Sequence, residues 1–436
     1  MAGFTTVKQK SNKNCKKYKK KSMLKALKIR LYPNKTQEVQ INKLLGCYRF
    51  VYNQCLNKKI TSYEKDKTSE NLTSLGHYLH GYLTKQEEYS WLNEQNTKVL
   101  KQSIIDMLDA YKCFFEQHNG YPKYKSKHDN KQSCRFPLEA ISKRNNYEDR
   151  KLSLANIRGV KFRCSDKYIN YLTKNKESIK SATLSKLPCG QYYLSILIDG
   201  DLLKQVQQSQ NTVGIDLGIK DFITTSEEET FENKHFKKSV SDRLKKLQRQ
   251  LSRKQKGSNN RNKARLKLAK LNKKINDSKL NYLHEVTNTL INENQVICIE
   301  DLNVKGMVKN HRLAESISEM NFGEFCRILE YKASWYGRVV VKVDRFYPSS
   351  KTCNHCGYIK RDLKLSERKW VCPECGELID RDYNAACNIK DKGIEILVGS
   401  RTPELTLVEN PTMDERSAMN LKSNDSLKQE IKSNFY

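Results

Sequence analysis

The sequence has no apolar run long enough to cross a membrane. No stretch of its 436 residues approaches the roughly 18 apolar residues that a transmembrane helix needs. Nothing in it resembles the apolar core of a secretory signal peptide. The motifs GxxxxGK(S/T), HExxH and GxSxG, which would indicate ATP, zinc-protease or acyl-transfer chemistry, are also missing. These absences argue against a membrane span, secretion and those three chemistries, and they predict a cytoplasmic protein, associated with the nucleoid if the host is a prokaryote.

Acidic residues are too few to balance the basic ones. The chain has 81 Lys and Arg against 49 Asp and Glu, a formal net charge of +32, and its pI is near 9.5. Charge of this size repels itself unless a polyanion neutralises it, and nucleic acid is the usual polyanion. Association with the ribosome or with a membrane surface is the alternative interpretation.

Basic residues are concentrated in one segment. Residues 237–274 hold sixteen Lys and Arg and a single acid, Asp242. Leucine spacing in this segment predicts helices that are broken near the sequence GSNN. We interpret 237–293 as a basic helical hairpin that lies along a nucleic-acid backbone, and a solvated charged face is the alternative.

Hydrophobic periodicity predicts the organisation of the first half of the chain. Residues 24–35 and 119–210 contain short runs that alternate apolar and polar residues, which predicts a small antiparallel β-barrel. Between them, residues 36–118 show helical spacing and predict a helical domain inserted into that barrel. The basic arm over 1–23 and the polar tail over 399–436 are expected to be disordered.

Cysteine spacing predicts a structural zinc site. The chain has 14 cysteines and no export signal, so we expect reduced thiols rather than disulfides. Cys353 and Cys356 form one CxxC pair, Cys372 and Cys375 form a second, and fifteen residues separate the pairs. This is the spacing of a four-thiolate zinc ribbon, in which no coordination position is left open for water. His355, inside the first pair, is interpreted as a bystander or as a contact outside the metal's own ligands.

Carboxylates follow apolar segments at three places. Asp216 lies inside the apolar run TVGIDLG, Glu300 and Asp301 end the run QVICIED, and Asp380 and Asp382 directly precede an Ala-rich segment with helical spacing. An acid in an apolar strand is costly unless it is paired or binds a cation, although acids at strand edges are common. Three such places favour a site for two divalent ions that cleaves phosphodiesters.

These motifs, in this order, resemble the TnpB family encoded by insertion sequences, which is similar to the compact type V CRISPR effectors. The resemblance rests on DxG, IED, the two CxxC pairs and DRDxNAAxNI, together with the opening KALKIRLYPNKTQ, and it covers residues 24–396. It implies an α+β multidomain fold. An RNase H-like (RuvC) α/β nuclease core would span 211–345 and 380–398, with the zinc ribbon inserted at 346–379 and the β-barrel with its helical insert before it.

The resemblance also implies the site and the activity. Asp216, Glu300 and Asp382 match the three RuvC acids and would be catalytic ligands of Mg²⁺ or Mn²⁺. Asp382 is preferred to Asp380 because the second acid of DRD precedes the NAA triplet. Asp301 and Asp380 would tune or orient their neighbours, and the alternative is that one of them completes a fourth ligand. The implied activity is an RNA-guided DNA endonuclease, in which a guide RNA from the element's end directs cleavage of double-stranded DNA beside a short motif.

Two other functions stay open at this point. One is a zinc-ribbon nucleic-acid-binding regulator whose carboxylates are vestigial, and the other is a resolvase or transposase that acts without a guide RNA. No part of the chain resembles the Tyr-dependent transposases that accompany such genes.

Overall fold

A computed structural model describes residues 24–129, 131–199, 209–309, 314–364 and 366–399. The chain divides into two units, Met1–Leu202 and Leu203–Tyr436. The expectations of a disordered arm over 1–23 and of a disordered tail beyond Gly399 lie outside the described residues. Within the described part of the chain, no helix combines the length and apolar character needed to cross a membrane.

A six-stranded antiparallel sheet forms the base of the first unit. In its first strand Leu27, Ile29 and Leu31 are buried, as their alternation predicts. The strand order is β2-β5-β6-β1-β4-β3, and every neighbouring pair is antiparallel. The strands are β1 Leu24–Tyr32, β2 Gln132–Pro137, β3 Lys151–Leu154, β4 Ile157–Arg163, β5 Ile179–Lys186 and β6 Tyr192–Asp199.

The two edges of this sheet approach each other. Ile141, just after β2, forms an antiparallel bridge with Leu154 of β3, and the amide of Ala155 donates to the carbonyl of Ala140 at 2.7 Å. Apolar side chains from all six strands share one core, which the helix α4 (Asp166–Lys174) also contacts. The predicted antiparallel sheet is confirmed, and its closure into a barrel stays a prediction.

Helices occupy the segment between β1 and β2, as the change of period predicts. The first of them starts at a capping box, in which Asn34 Oδ1 accepts from the amide of Gln37 at 2.8 Å and Gln37 Oε1 accepts from the amide of Asn34 at 2.9 Å. Their apolar faces form a core of their own next to the sheet. The helices are α1 Lys35–Asp66, α2 Leu72–His77 and α3 Thr97–Gln117.

A mixed five-stranded sheet forms the centre of the second unit. Its order is β11-β10-β7-β8-β9. Strand β10 is parallel to both of its neighbours, β11 and β7, while β8 is antiparallel to β7 and to β9. The strands are β7 Thr212–Leu217, β8 Asp221–Thr225, β9 Thr230–Glu232, β10 Val296–Glu300 and β11 Val339–Val343.

Helices cover this sheet, and two of them form the predicted basic hairpin. Its first helix packs against the first half of the second through Leu244, Leu271 and Ile275. The second half of that long helix packs against the sheet and against α9. The helices are α5 Ser241–Ser252, α6 Asn259–Glu293, α7 Val304–Met307, α8 Ala314–Met320, α9 Phe322–Tyr336 and α10 Arg381–Gly399.

The cysteine-rich segment precedes the last helix. It contains a short antiparallel hairpin of β12 (Lys369–Val371) and β13 (Leu378–Asp380) around a small core that includes Trp370. One detail of the sequence prediction was wrong. Asp382 does not precede the helix, because α10 begins at Arg381 and therefore holds Asp382 in its first turn.

Candidate functional site

Strand pairing places two of the predicted acids at the same edge of the sheet. Asp216 lies in β7 and Glu300 ends β10, and these two strands are parallel neighbours in which Ile215 pairs with Ile299. Asp216 directly follows Ile215, and Glu300 directly follows Ile299. The two acids therefore lie at the same level, near the carboxyl ends of their strands. Asp382 approaches from the first turn of α10, a helix that packs on β7.

Electrostatics show that the three acids share one region. Burial, together with the negative charges of Asp382 and Glu300, raises the pKa of Asp216 to about 7, against the opposing charges of Arg381 and Arg368. Burial also raises the pKa of Glu300. Mutually repelling, partly desolvated carboxylates of this kind are stabilised by a bound cation.

The three carboxylates do not converge as closely as the ligands of one ion. Among the described residues, only the four cysteines bring three or more potential ligand atoms within 4.8 Å of one another. The Asp382 carboxylate instead accepts from Arg368 Nη1 through both oxygens, at 3.0 and 2.9 Å. A cation that binds Asp382 must therefore compete with this guanidinium. Sequence reasoning missed Arg368, which no local pattern marks.

The two neighbouring acids have other partners. Asp301 pairs with the guanidinium of Arg345. Asp380 is exposed, and its Oδ1 accepts from the amides of Asp382 at 3.2 Å and Tyr383 at 3.3 Å. Asp380 therefore caps the start of α10, while the half-buried Asp382 is near enough for its charge to contribute to the raised pKa of Asp216.

The four cysteines form a cluster of the size that a tetrahedral metal requires. Cys353 Sγ lies 3.8 Å from Cys375 Sγ, and Cys356 Sγ lies 3.5 Å from Cys372 Sγ. Sulfurs at about 2.3 Å from a central zinc would be about 3.8 Å apart. The donor set and its spacing therefore fit a zinc ion held by four thiolates.

Local backbone structure prepares this cluster. Gly357 and Gly376 follow the two CxxC pairs with φ of +79° and +73°, values that favour glycine. Burial would raise the pKa of the Cys372 thiol, but hydrogen bonds from the amides of Cys375 and Glu374 and from the thiols of Cys356 and Cys375 outweigh it and lower that pKa. His355 is exposed.

The basic hairpin presents its charges on its surface. Lys263, Lys267, Lys270 and Lys274 of α6 are all exposed. Leu271 and Ile275, which directly follow Lys270 and Lys274, are buried against α5. The lysines are therefore available to a polyanion without loss of the helix packing.

Three segments of the chain match described families. Residues 193–311 match a family described as "Probable transposase", residues 322–389 match "Cas12f1-like, TNB domain", and residues 23–68 match "Helix-turn-helix domain". The second of these matches contains both CxxC pairs and Asp382.

Two relatives align along most of the chain. A Streptomyces pristinaespiralis protein named "Putative RNA-guided DNA endonuclease" is 34% identical over 85% of this chain and 89% of its own length. An Escherichia coli protein named "Putative RNA-guided DNA endonuclease InsQ" is 29% identical over 86% of this chain and 93% of its own.

One solved structure shares the fold. The protein in a cryo-EM structure of a Cas12f1-sgRNA-target DNA complex superposes with a TM-score of 0.51, at 16% identity. The match covers 85% of this chain and 99% of that one. It shows a common α+β architecture.

Proposed function

This chain belongs to the TnpB family, and from that membership we propose that it is an RNA-guided DNA endonuclease encoded by a transposable element. One observation carries the proposal beyond the family name. Asp216, Glu300 and Asp382 come from three distant parts of the sequence; Asp216 and Glu300 lie level on neighbouring strands, and the charges of Glu300 and Asp382 both act on Asp216. A nuclease that hydrolyses phosphodiesters with divalent ions needs such a group of oxygen ligands.

We propose that Asp216, Glu300 and Asp382 hold Mg²⁺ or Mn²⁺ in an RNase H-like (RuvC) core over 211–345 and 380–398. Bound divalent ions would supply stabilisation of the attacking water and of the leaving oxygen. The residues of the chain provide the oxygen ligands, and Asp380 fixes the first turn of α10 from which Asp382 extends. Arg368 pairs with Asp382, so a divalent ion that bound Asp382 would have to compete with this guanidinium.

The remaining parts have proposed roles as well. The four cysteines over 346–379 would form a structural zinc ribbon. The first sheet, closed as a barrel over 24–35 and 119–210, and the helical domain over 36–118 would bind nucleic acid beside the target. Base pairing with the guide RNA would supply most of the sequence specificity, and the basic hairpin over 237–293 would neutralise the phosphate backbone.

Cleavage by matched acid variants tests this proposal. The full chain is purified with its co-expressed RNA and assayed on a plasmid that carries the guide-matched target, with Mg²⁺. Asp216→Asn removes a ligand charge at nearly constant volume and should reduce cleavage by more than about 100-fold. Asp380→Asn is the control, because asparagine also caps helices, and it should cleave like the parent.

Two results would overturn the assignment. Cleavage that persists in Asp216→Asn would show that the three acids do not form the active site. Cleavage by the parent without RNA would favour a guide-independent transposase. One observation favours a binding regulator instead, namely that Asp382 is ion-paired with Arg368.

A further inference from the structure

We propose that Asn384 and Asn388 of α10 are positioning residues that couple the four-cysteine cluster to the carboxylate of Asp382. The inference rests on the proposed function in one respect, namely that Asp382 binds a divalent ion. Its consequence is that zinc occupancy of the ribbon and divalent-ion affinity of the carboxylate site depend on each other.

Asn384 contacts the residues on both sides of a ligand cysteine. Its Nδ2 donates to the carbonyl of Thr352 at 2.6 Å, and its Oδ1 accepts from the amide of Asn354 at 2.9 Å. Thr352 and Asn354 flank Cys353. The backbone that positions the Cys353 sulfur is therefore fixed to α10 by one side chain.

Asn388 repeats the contact one turn further along the helix. Its Nδ2 donates to the carbonyls of Ser349 and Thr352, both at 2.7 Å. Its Oδ1 accepts from Asn354 Nδ2 at 3.1 Å, and the same Nδ2 donates to Asp391 at 2.7 Å. Residues four apart lie on the same face of a helix, so the two asparagines together bind the segment 349–354.

Both asparagines are buried and their amides are fully used. Asn384 is 5% exposed and Asn388 is 4% exposed. A buried amide that lost these partners would bear the cost of unsatisfied polar groups, so the arrangement has one favourable geometry. The helix α10 cannot move away from the segment that holds Cys353 without losing several hydrogen bonds together.

Asp382 lies two residues before Asn384, in the first turn of the same helix. Its position relative to Asp216 and Glu300 depends on where that turn sits. The segment 349–354 is held on its other side by the cysteine cluster. The cluster, the two asparagines and Asp382 therefore form a continuous chain of contacts, and any free-energy coupling along it acts equally in both directions.

Two measurements without RNA or DNA test the coupling. Mn²⁺ affinity of the full-length, zinc-loaded protein is measured by calorimetry, and zinc release is followed with a chromogenic chelator, with and without Mn²⁺. In Asn384→Ala and in Asn388→Ala the zinc content should stay at one ion per chain, while Mn²⁺ affinity falls roughly 10-fold. Mn²⁺ should slow zinc release in the parent but not in these variants.

A third variant and a control sharpen the comparison. Asn388→Asp keeps the size of the side chain but turns a carboxylate toward two carbonyl oxygens, so it should weaken Mn²⁺ binding at least as much as alanine does. Glu395→Gln changes an exposed residue on the same helix and should behave like the parent in both measurements.

Cleavage gives an independent readout on the RNA complex. The asparagine variants should need a higher Mn²⁺ concentration for half-maximal rate and should approach the parent rate at saturating Mn²⁺. A merely structural role would lower the maximal rate and leave the half-maximal concentration unchanged.

Zinc removal covers the case in which an asparagine variant does not fold. Cys372→Ser should show the same loss of Mn²⁺ affinity as the asparagine variants. Normal Mn²⁺ affinity in Cys372→Ser, or in both asparagine variants, would overturn the coupling. If the parent shows coupling between zinc and Mn²⁺ binding but never cleaves DNA, the proposed function is refuted and this inference still stands.

Discussion

Lys332 of α9 buries an ammonium group whose three N–H donors each meet an acceptor. They donate to the carbonyl of His284 at 2.9 Å, to Thr287 Oγ1 at 2.7 Å and to Asn288 Oδ1 at 2.6 Å, all on α6. One charged side chain thus joins the long basic helix to the helix that packs beside the sheet. Burial lowers the pKa of Lys332 to about 8 from its ordinary 10.5.

Replacement of Lys332 by methionine should destabilise the second unit by about 1–3 kcal/mol, because three buried acceptors lose their donor. The cost should depend on pH. The folded pKa lies below the unfolded value, so the unfolded chain binds more protons between pH 8 and 10.5. This group therefore makes the parent more stable as pH rises through that window.

Melting temperatures of parent and Lys332→Met, measured across the interval between the folded and unfolded pKa values, check this prediction. Their difference should widen as the pH rises above the folded pKa, since the variant lacks the titrating group. A difference that stays constant or shrinks with rising pH would show that Lys332 does not titrate in this window.

Packing of α10 on the sheet is close enough to require glycine at two places. A Cβ added at Gly214 of β7 would lie 2.0 Å from the carbonyl oxygen of Ala386, and one added at Gly393 of α10 would lie 2.3 Å from Cys298 Sγ of β10. The helix that carries Asp382 therefore sits directly on the strands that carry Asp216 and Glu300. These two contacts therefore set the distance of Asp382 from Asp216 and Glu300.

Alanine at either glycine should destabilise the protein by about 3 kcal/mol or more, because the new methyl group overpacks a fixed contact. Cys298→Ala, combined with Gly393→Ala, should recover part of that cost by removing the sulfur. Cys298→Ala should recover none of the destabilisation caused by Gly214→Ala, because the close neighbour of Gly214 is the backbone carbonyl oxygen of Ala386. Denaturant unfolding of the two single and two double variants gives the comparison.

Gly323 of α9 is the matched control. Nothing lies within 4 Å of a Cβ built there, so Gly323→Ala should stabilise the protein by about 0.5–1 kcal/mol through lower chain entropy. Equal destabilisation at Gly214, Gly393 and Gly323 would mean that close packing is not the reason for these glycines.

Charge acts at the scale of the whole molecule. A net charge of +32 is distributed over the chain, and residues 237–274 contribute sixteen Lys and Arg against a single acid. In this hairpin Lys263, Lys267, Lys270 and Lys274 are exposed, while Leu271 and Ile275 form its packed face. Each phosphate that the protein neutralises releases counterions, so binding weakens with salt in proportion to the number of phosphates bound.

Replacement of Lys263, Lys267, Lys270 and Lys274 by glutamine should weaken nucleic-acid binding and flatten its dependence on salt. For every phosphate that the variant no longer neutralises, the slope of log K against log salt should fall by roughly 0.7–0.9. Fluorescence anisotropy over a range of salt concentrations measures this slope. Arginine at the same four positions keeps the charge and should keep the slope, and an unaltered slope in the glutamine variant would place the hairpin away from the nucleic acid.

Sequence alone determined the elements and the chemistry that local patterns encode. Alternation in β1 and helical spacing in α1 reflect burial on one face of a strand or helix, so both were predicted correctly. The CxxC pairs were also recognisable, since two cysteines on one tight turn point to the same metal. Asp216, Glu300 and Asp382 were selected by their apolar surroundings and by family resemblance.

Tertiary structure decided what depends on residues far apart in the chain. Parallel pairing of β7 with β10 placed Asp216 level with Glu300, and the packing of α10 at Gly214 set how near Asp382 comes. The ion pair between Arg368 and Asp382 could not be predicted, because it depends on how the cysteine-rich segment folds back onto α10. Local composition fixes which residues prefer burial or a metal, but distances between remote side chains are set only when the sheet registers and helix contacts form.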